Sequence, residues 1–458
     1  MFRKCFFVAI LASLSACALT PDYERPELDV PPEFAGAPAG ESIANLQWWQ
    51  LFKDEQLQAL IRIALDENKD LGVALARIEA SRQAVTAVRA NQFPFIDLSG
   101  FAGRVRPSRE TVPGAKSDNL YSVFGDLSFQ VDLWGELSRA TEAARANLLS
   151  TEAAYRNVTI SLVSDVARLY LLLRDLDQRL VISRNTLTTR TESLRIIQAK
   201  FDKGVVPELD VNQAQVEVAL AETAIATFQR QVVQTENALR ILLGRNPGPV
   251  ERGEPLVEQK FPPDVPAGLP SELLQRRPDV VQAEALLQAA TARIGVAEAL
   301  RYPSLFLTGR LGVESTDLSD LNSSDARSWN IGANLLAPIF NSGQLKAQAE
   351  AARAEAEQSL LIYERTLQQA FREVEDALVS IRTYRDEYEA QTRRVVAARN
   401  AARLSRARYD GGVVDYLEVL DSERARFDSE LAQSATLRLY FASIVQLYTA
   451  LGGGWTPQ

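Results

Sequence analysis

The stretch Gln344–Tyr409 constrains this chain most. It runs 66 residues without a Pro or a Gly, and as one α-helix it would be about 100 Å long. Apolar or small residues fall at Leu345, Ala349, Ala352, Ala356, Leu360, Tyr363, Leu367, Ala370, Val374, Ala377, Ile381, Tyr384 and Tyr388. The steps alternate three and four, with one doubled four, which is the seam of a helix wound against neighbours. Much of the seam is Ala, so partner helices can come close, while the other faces carry Arg, Glu, Gln and Asp and belong in water. Such a helix is a stave or a rod, and the rest of the sequence is read by asking what it is a stave of.

The chain is punctuated twice in the same way. Pro94 and Pro303 are 209 residues apart, and the pairs Gly135/Gly343, Gly204/Gly412 and Gly244/Gly452 are each 208 apart. Four stops held in register over 200 residues are an internal repeat. Each half reads as helix, strand, loop, strand, long helix, tight reversal and return helix. The first repeat covers 47–243, with a β-hairpin over 95–133 and long helices over 136–243. Its first helix places Leu57, Leu60, Ile61 and Ala64 on one face. The second repeat covers 271–458, with a helix over Ser271–Leu300, a β-hairpin over 304–340 and long helices over 344–451. Between them, 244–270 holds seven Pro in 27 residues and reads as a surface linker.

Residues 1–16 read as an export signal, with Arg3 and Lys4 ahead of a short apolar run from Phe6 to Leu14. The run ends Leu14-Ser15-Ala16-Cys17, which resembles a lipoprotein cleavage box and makes Cys17 the lipidated first residue. The plainer alternative is an ordinary signal cut near Ala16. No Asp follows Cys17, which in the bacterial sorting pattern points to the outer membrane. Residues 17–46 are Pro-rich and read as an extended, lipidated tether. Trp48-Trp49 reads as an anchor packing that tether on the body, with a ligand platform as the alternative.

Composition then excludes several function classes. The chain has no His, which removes Ser/His/Asp and Cys/His catalysis and the commonest zinc and iron ligand sets. No catalytic residue, cofactor site or metal site is expected. A net charge of −9 argues against nucleic acid as a partner. After the signal, no stretch reaches the ~18 consecutive apolar residues of a spanning helix. A membrane would have to be crossed by strands, and the hairpins carry the one-sided apolar alternation of a membrane barrel wall. One chain supplies four strands, too few to close a barrel, and an open sheet cannot sit in lipid because its edge groups stay unsatisfied. Several chains must share the wall, and the long helices need lateral neighbours for the same reason. A soluble β-structure with a coiled coil, or a periplasmic rod without a pore, are the competing readings.

Six motifs carry a family resemblance. They are Trp48-Trp49…Phe52…Asp54…Leu57; Asp132-Leu133-Trp134-Gly135; Arg276-Arg277-Pro278-Asp279-Val280…Ala283-Glu284; Tyr302-Pro303-Ser304…Leu307-Thr308-Gly309; Pro338-Ile339-Phe340-Asn341-Ser342-Gly343; and Tyr409…Gly412…Tyr416-Leu417…Leu420-Asp421. In this order they resemble the outer-membrane efflux channel family of TolC and OprM, in its lipoprotein branch, over nearly the whole chain. The resemblance implies an α+β membrane channel: a homotrimer with a twelve-strand β-barrel in the outer membrane joined to a twelve-helix α-barrel in the periplasm. It implies docking to a periplasmic adaptor and an inner-membrane pump of the proton-driven resistance-nodulation-division class, with no catalysis and no cofactor. The expected function is a passive exit duct for small molecules. A duct for a type I protein secretion system is the alternative.

Candidate gate residues follow the second reversal. Asp415, Glu418 and Asp421 are spaced i, i+3, i+6 and share a helix face. Repeated by symmetry they form acidic rings that attract cations, although carboxylates at a helix N-terminus are also favoured by the dipole alone. The corresponding first-half positions are Pro207, Asp210 and Gln213, so the halves differ here. The resemblance implies that Leu417 is an apolar constriction, Asp421 an acidic ring with Glu418 a further acidic position, and Arg424 a basic partner in the gate. It also implies that Tyr409 and Asp210 form a hydrogen-bonded lock. The Arg that supports this lock in the TolC branch is Val414 here.

Overall fold

A computed structural model of the chain describes residues 22–27, 30–34, 47, 51–259, 268, 270 and 273–453. The export signal, Cys17 and Trp48-Trp49 lie outside the described residues, as do most of the tether and part of the Pro-rich linker. The elements are α1 (Glu55–Glu67), α2 (Lys69–Ala90), β1 (Phe95–Val105), β2 (Asp118–Val131), α3 (Glu136–Asp202), α4 (Glu208–Leu242), α5 (Leu273–Arg276), α6 (Pro278–Ala299), β3 (Ser304–Ser315), β4 (Arg327–Leu336), α7 (Gln344–Asp410) and α8 (Tyr416–Ala450). Contacts divide the chain into two compact units that cut across the repeats, so each unit draws on both halves.

Three ends differ from the sequence reading for identifiable reasons. The helix expected over Ser271–Leu300 is interrupted, and α6 restarts at Pro278, because proline has no N–H to continue a helix but suits its first turn. Strand β4 stops at Leu336, short of Ile339 and Phe340, with Pro338 unable to donate to a ladder. Strand β2 stops at Val131 because Asp132 turns away to cap α3, accepting from the N–H groups of Leu137 at 3.0 Å and Ser138 at 2.8 Å.

The first unit comprises Met1–Leu28, Ala76–Glu152 and Gln282–Glu364. Its sheet is antiparallel with order β1-β2-β3-β4, so the hairpins of the two repeats join through β2 and β3. Strands β1 and β4 are its free edges. Register fixes the faces. Ile96, Leu127, Gly309 and Ile331 form one row across all four strands, and Leu98, Gly125, Leu311 and Trp329 form another. These rows are apolar and bare: Leu98, Leu311, Trp329 and Ile331 are all 70% exposed or more. The opposite face carries the row Asp97, Asp126, Arg310 and Asn330. There Arg310 donates to Asp126 at 2.7 Å, and Ser99 donates to the same carboxylate at 2.5 Å. Trp134 donates its indole N–H to the Pro303 carbonyl at 2.8 Å and stacks at a tilt on Tyr302, which ties the Trp-Gly motif of one repeat to the Tyr-Pro motif of the other. The N-terminal segment is clamped to this unit. Arg25 makes two 2.7 Å bonds to Glu284, Tyr23 donates to Glu284 at 3.2 Å, and Asp22 pairs with Arg139 at 2.6 Å.

The second unit comprises Asp29–Leu75, Ala153–Val281 and Arg365–Gln458. It is helical, and the expected face of α1 is its buried face: Leu57, Leu60, Ile61 and Ala64. Asp54 caps α1 through Gln56 and Leu57 and also accepts from Tyr170 at 2.8 Å and Gln259 at 2.6 Å. Arg277, buried, bonds Asp279, Glu373 and the carbonyl of Ala450. The motif residues Asp54 and Arg277 are therefore knots that join distant segments. Along α7 every seam residue from Leu345 to Tyr388 is buried or half-buried. Among the described residues no helix is long and apolar enough to cross a membrane.

Candidate functional site

The two helix reversals lie in the second unit, and their backbones are copies. Gly204 and Gly412 have φ of 72° and 70°. In each turn the glycine N–H bonds the carbonyl three residues back, and the following Val N–H bonds the carbonyl five back: Val205 to Lys200 and Val413 to Arg408, both at 2.9 Å. This is the left-handed glycine cap with its six-to-one hydrogen bond. The return helices then start alike, with Pro207 at φ −76°, ψ 159° and Asp415 at φ −77°, ψ 159°.

One apolar cluster underlies both turns: Ile197 of α3, Val211 and Ala214 of α4, Tyr409 of α7, and Tyr416, Val419 and Leu420 of α8. Val206 and Val414, equivalent in the repeat, both pack against it. Val414 adds to this apolar cluster. The Tyr409 and Tyr416 rings meet at 5.4 Å, and the Lys200 ammonium sits 4.2 Å from the Tyr409 ring centre. Burial pushes the Tyr416 phenol up to about 12. Tyr409 is raised by burial first and by the Asp210 carboxylate second. Asp210 is itself raised, by burial and then by Asp415. No hydrogen bond joins Tyr409 to Asp210 within the chain, and the Tyr409 hydroxyl is buried without a partner among the described residues.

The acidic face is placed as its spacing implies, but its members differ. Asp415 occupies the N-cap position of α8, and its carboxylate makes no capping bond. Glu418 pairs with Arg408 at 3.1 Å. Asp421 is exposed, its side chain 71% bare, with Arg424 no closer than 3.9 Å. Leu417 is exposed, as are its repeat counterpart Leu209 and the pair Val205 and Val413.

The sequence reading missed the group behind Arg424. Its guanidinium donates to Glu217 at 2.5 Å, and Glu217 also pairs with Arg190 at 2.8 Å. Glu217 and Arg190 are both buried. Arg190 bonds the Glu217 carbonyl at 2.8 Å as well, and its guanidinium lies 5.1 Å from the Phe427 ring centre. Burial pulls the Arg190 pKa below its ordinary value, opposed by Glu217. A signal was available: Glu217 interrupts the buried stripe Val211, Ala214, Ala221 of α4 at helical spacing, and a charge on an apolar face needs a partner.

Residues 60–245 and 269–453 match the family Outer membrane efflux protein. The chain belongs to that family. It is 36% identical to the solvent efflux pump outer membrane protein SrpC of Pseudomonas putida, over 97% of both chains. It is 34% identical to the cation efflux system protein CusC of Escherichia coli, over 98% of both. The open-state MtrE outer membrane channel of Neisseria gonorrhoeae superposes with a TM-score of 0.87 at 31% identity, covering 96% of this chain and 98% of that one. The two-repeat channel fold, the outer-membrane location and the role as outer-membrane component of a tripartite efflux system are thereby settled, and the efflux reading stands over the secretion duct. Such a component works with a periplasmic adaptor and an inner-membrane pump.

Proposed function

We propose that this efflux protein is a homotrimer whose three sheets close a twelve-strand barrel and whose helices close a periplasmic tube. The observation that carries this is the sheet itself. Its edges β1 and β4 are unpaired within the chain, and its rows of Leu98, Leu311, Trp329 and Ile331 are bare. Both conditions are untenable for a single chain in lipid and are met when β4 of one copy pairs with β1 of the next. Cys17 carries the lipid that anchors the tether 17–46, after removal of residues 1–16. The pump is of the resistance-nodulation-division class, and the cargo is small: relatives are named for solvent, antibiotic and cation efflux.

In this assembly the mouth is set at the reversals. Leu417 narrows it, while Asp421, with Glu418 and Asp415, makes its acidic rings, and Arg424 is the basic residue of the gate. Tyr409 and Asp210 act as the latch between hairpins. Asp421→Ala should raise leak conductance or weaken cation preference in a planar bilayer, and an unchanged single-channel record would remove Asp421 from the gate. The mass and image of the detergent-extracted particle test the trimer directly. A watertight single subunit would end this reading.

A further inference from the structure

We infer that Glu217 is a positioning residue for the gate: by holding the Arg424 guanidinium on α4, it keeps Arg424 from neutralising Asp421. This rests on the proposed channel and adds to it a residue outside the acidic face. Three observations support it. Arg424 has two carboxylates within reach and is divided unequally between them, 2.5 Å from Glu217 and 3.9 Å from Asp421. Glu217 is fixed: it is 3% exposed and is gripped from α3 by Arg190 through both its carboxylate and its carbonyl. Asp421, by contrast, is bare, and its side chain is free to present its charge to solvent. The buried acid therefore outcompetes the exposed one for the shared cation, because a charge pair out of water is screened less than one in water. The arrangement has no repeat-related copy. The repeat counterparts of Glu217 and Arg424 are Ala425 and Val216, so the two members of the pair come from different repeats, 207 residues apart.

The sign of the effect follows from charge. With Glu217 neutral, Arg424 keeps one anionic partner, Asp421, one turn away on the same helix. The mouth ring then loses net negative charge and its attraction for cations.

The test is the cation-to-anion permeability ratio of the full-length channel, read as a reversal potential in a KCl gradient across a planar bilayer. Glu217→Gln should lower the ratio by about twofold, and Glu217→Asp should restore most of it. Arg424→Gln leaves Glu217 paired with Arg190 and should leave the ratio near that of the wild type, since Arg424 is already withheld from Asp421. The deciding measurement is the double variant. On an Asp421→Asn background, Glu217→Gln should produce no further change, since the freed Arg424 has no ring charge to cancel. Additive effects would mean that Glu217 acts only through its own field and would overturn the inference. So would a Glu217→Gln channel with the wild-type reversal potential. Should Glu217→Gln fail to assemble, Arg424→Gln still decides: a clear rise in the ratio would mean that Arg424 was already neutralising Asp421 and would overturn the inference, whereas a ratio near that of the wild type supports it. A wild-type particle without conductance would instead sink the channel reading, and the two failures are thus distinct.

Discussion

The two helix reversals have one backbone and two chemistries. Their glycines differ by 2° in φ, their caps use the same hydrogen bonds, and the residues that start the return helices agree to within 1° in φ. Their side chains diverge where the apolar plug ends. Val206 and Val414 agree, as do exposed Leu209 and Leu417, but Pro207 corresponds to Asp415, Gln213 to Asp421 and Val216 to Arg424. The comparison teaches that the shared positions build the turn and the divergent ones charge it. A duplicated hairpin needs the same sterics twice to reverse direction. In the proposed assembly a gate charge is needed only once per copy, because symmetry repeats it around the mouth.

Three experiments break or sharpen this contrast, in falling order of effect. Replacing Asp415, Glu418 and Asp421 together by their amides should abolish cation preference in bilayer recordings. Placing an acid in the first reversal by Gln213→Asp should change it much less. Equal effects would mean that both turns line the mouth alike. Next, Gly204→Ala and Gly412→Ala should each cost about 1 kcal/mol from forcing a Cβ into a left-handed φ. The added carbon meets nothing within 4 Å at either site, so no clash separates the two. Matching drops in melting temperature, followed by circular dichroism in detergent, would confirm the equivalence, and a gap of several degrees would break it. The smallest effect is on acid stability. Asp210 is raised by burial and by Asp415, so the folded chain holds this proton more tightly than the unfolded chain does. Its contribution to stability is complete below the ordinary carboxylate range and is lost as pH rises through the raised value. Asp415→Asn should lessen that loss, seen as a melting temperature that gains on the wild type from pH 3 to pH 6. An identical pH profile would show that Asp415 does not act on Asp210.

Tyr409 shows where a motif match and a geometry part. Tyr409 and Asp210 are near enough to influence each other's charge, yet the phenol oxygen is buried without a partner among the described residues. The resemblance named the residues, and the packing decides whether they bond. Glu284 illustrates the reverse case. It was legible only as part of a motif, and its work is to receive Arg25 and Tyr23 from the N-terminal segment, more than 250 residues away in sequence.

What the sequence determined by itself is whatever depends on near neighbours. The three-and-four steps from Leu345 to Tyr388 specified a buried seam, because side chains one helical turn apart share a face. Paired Pro and Gly specified where each half stops and turns, because φ sterics are local. Only the tertiary structure decided that β2 pairs with β3, leaving β1 and β4 as edges, and that a buried acid of the first repeat holds Arg424 of the second. Those partners lie roughly two hundred residues apart, where no spacing rule reaches, and burial selects them by excluding water from one carboxylate and leaving the other wet.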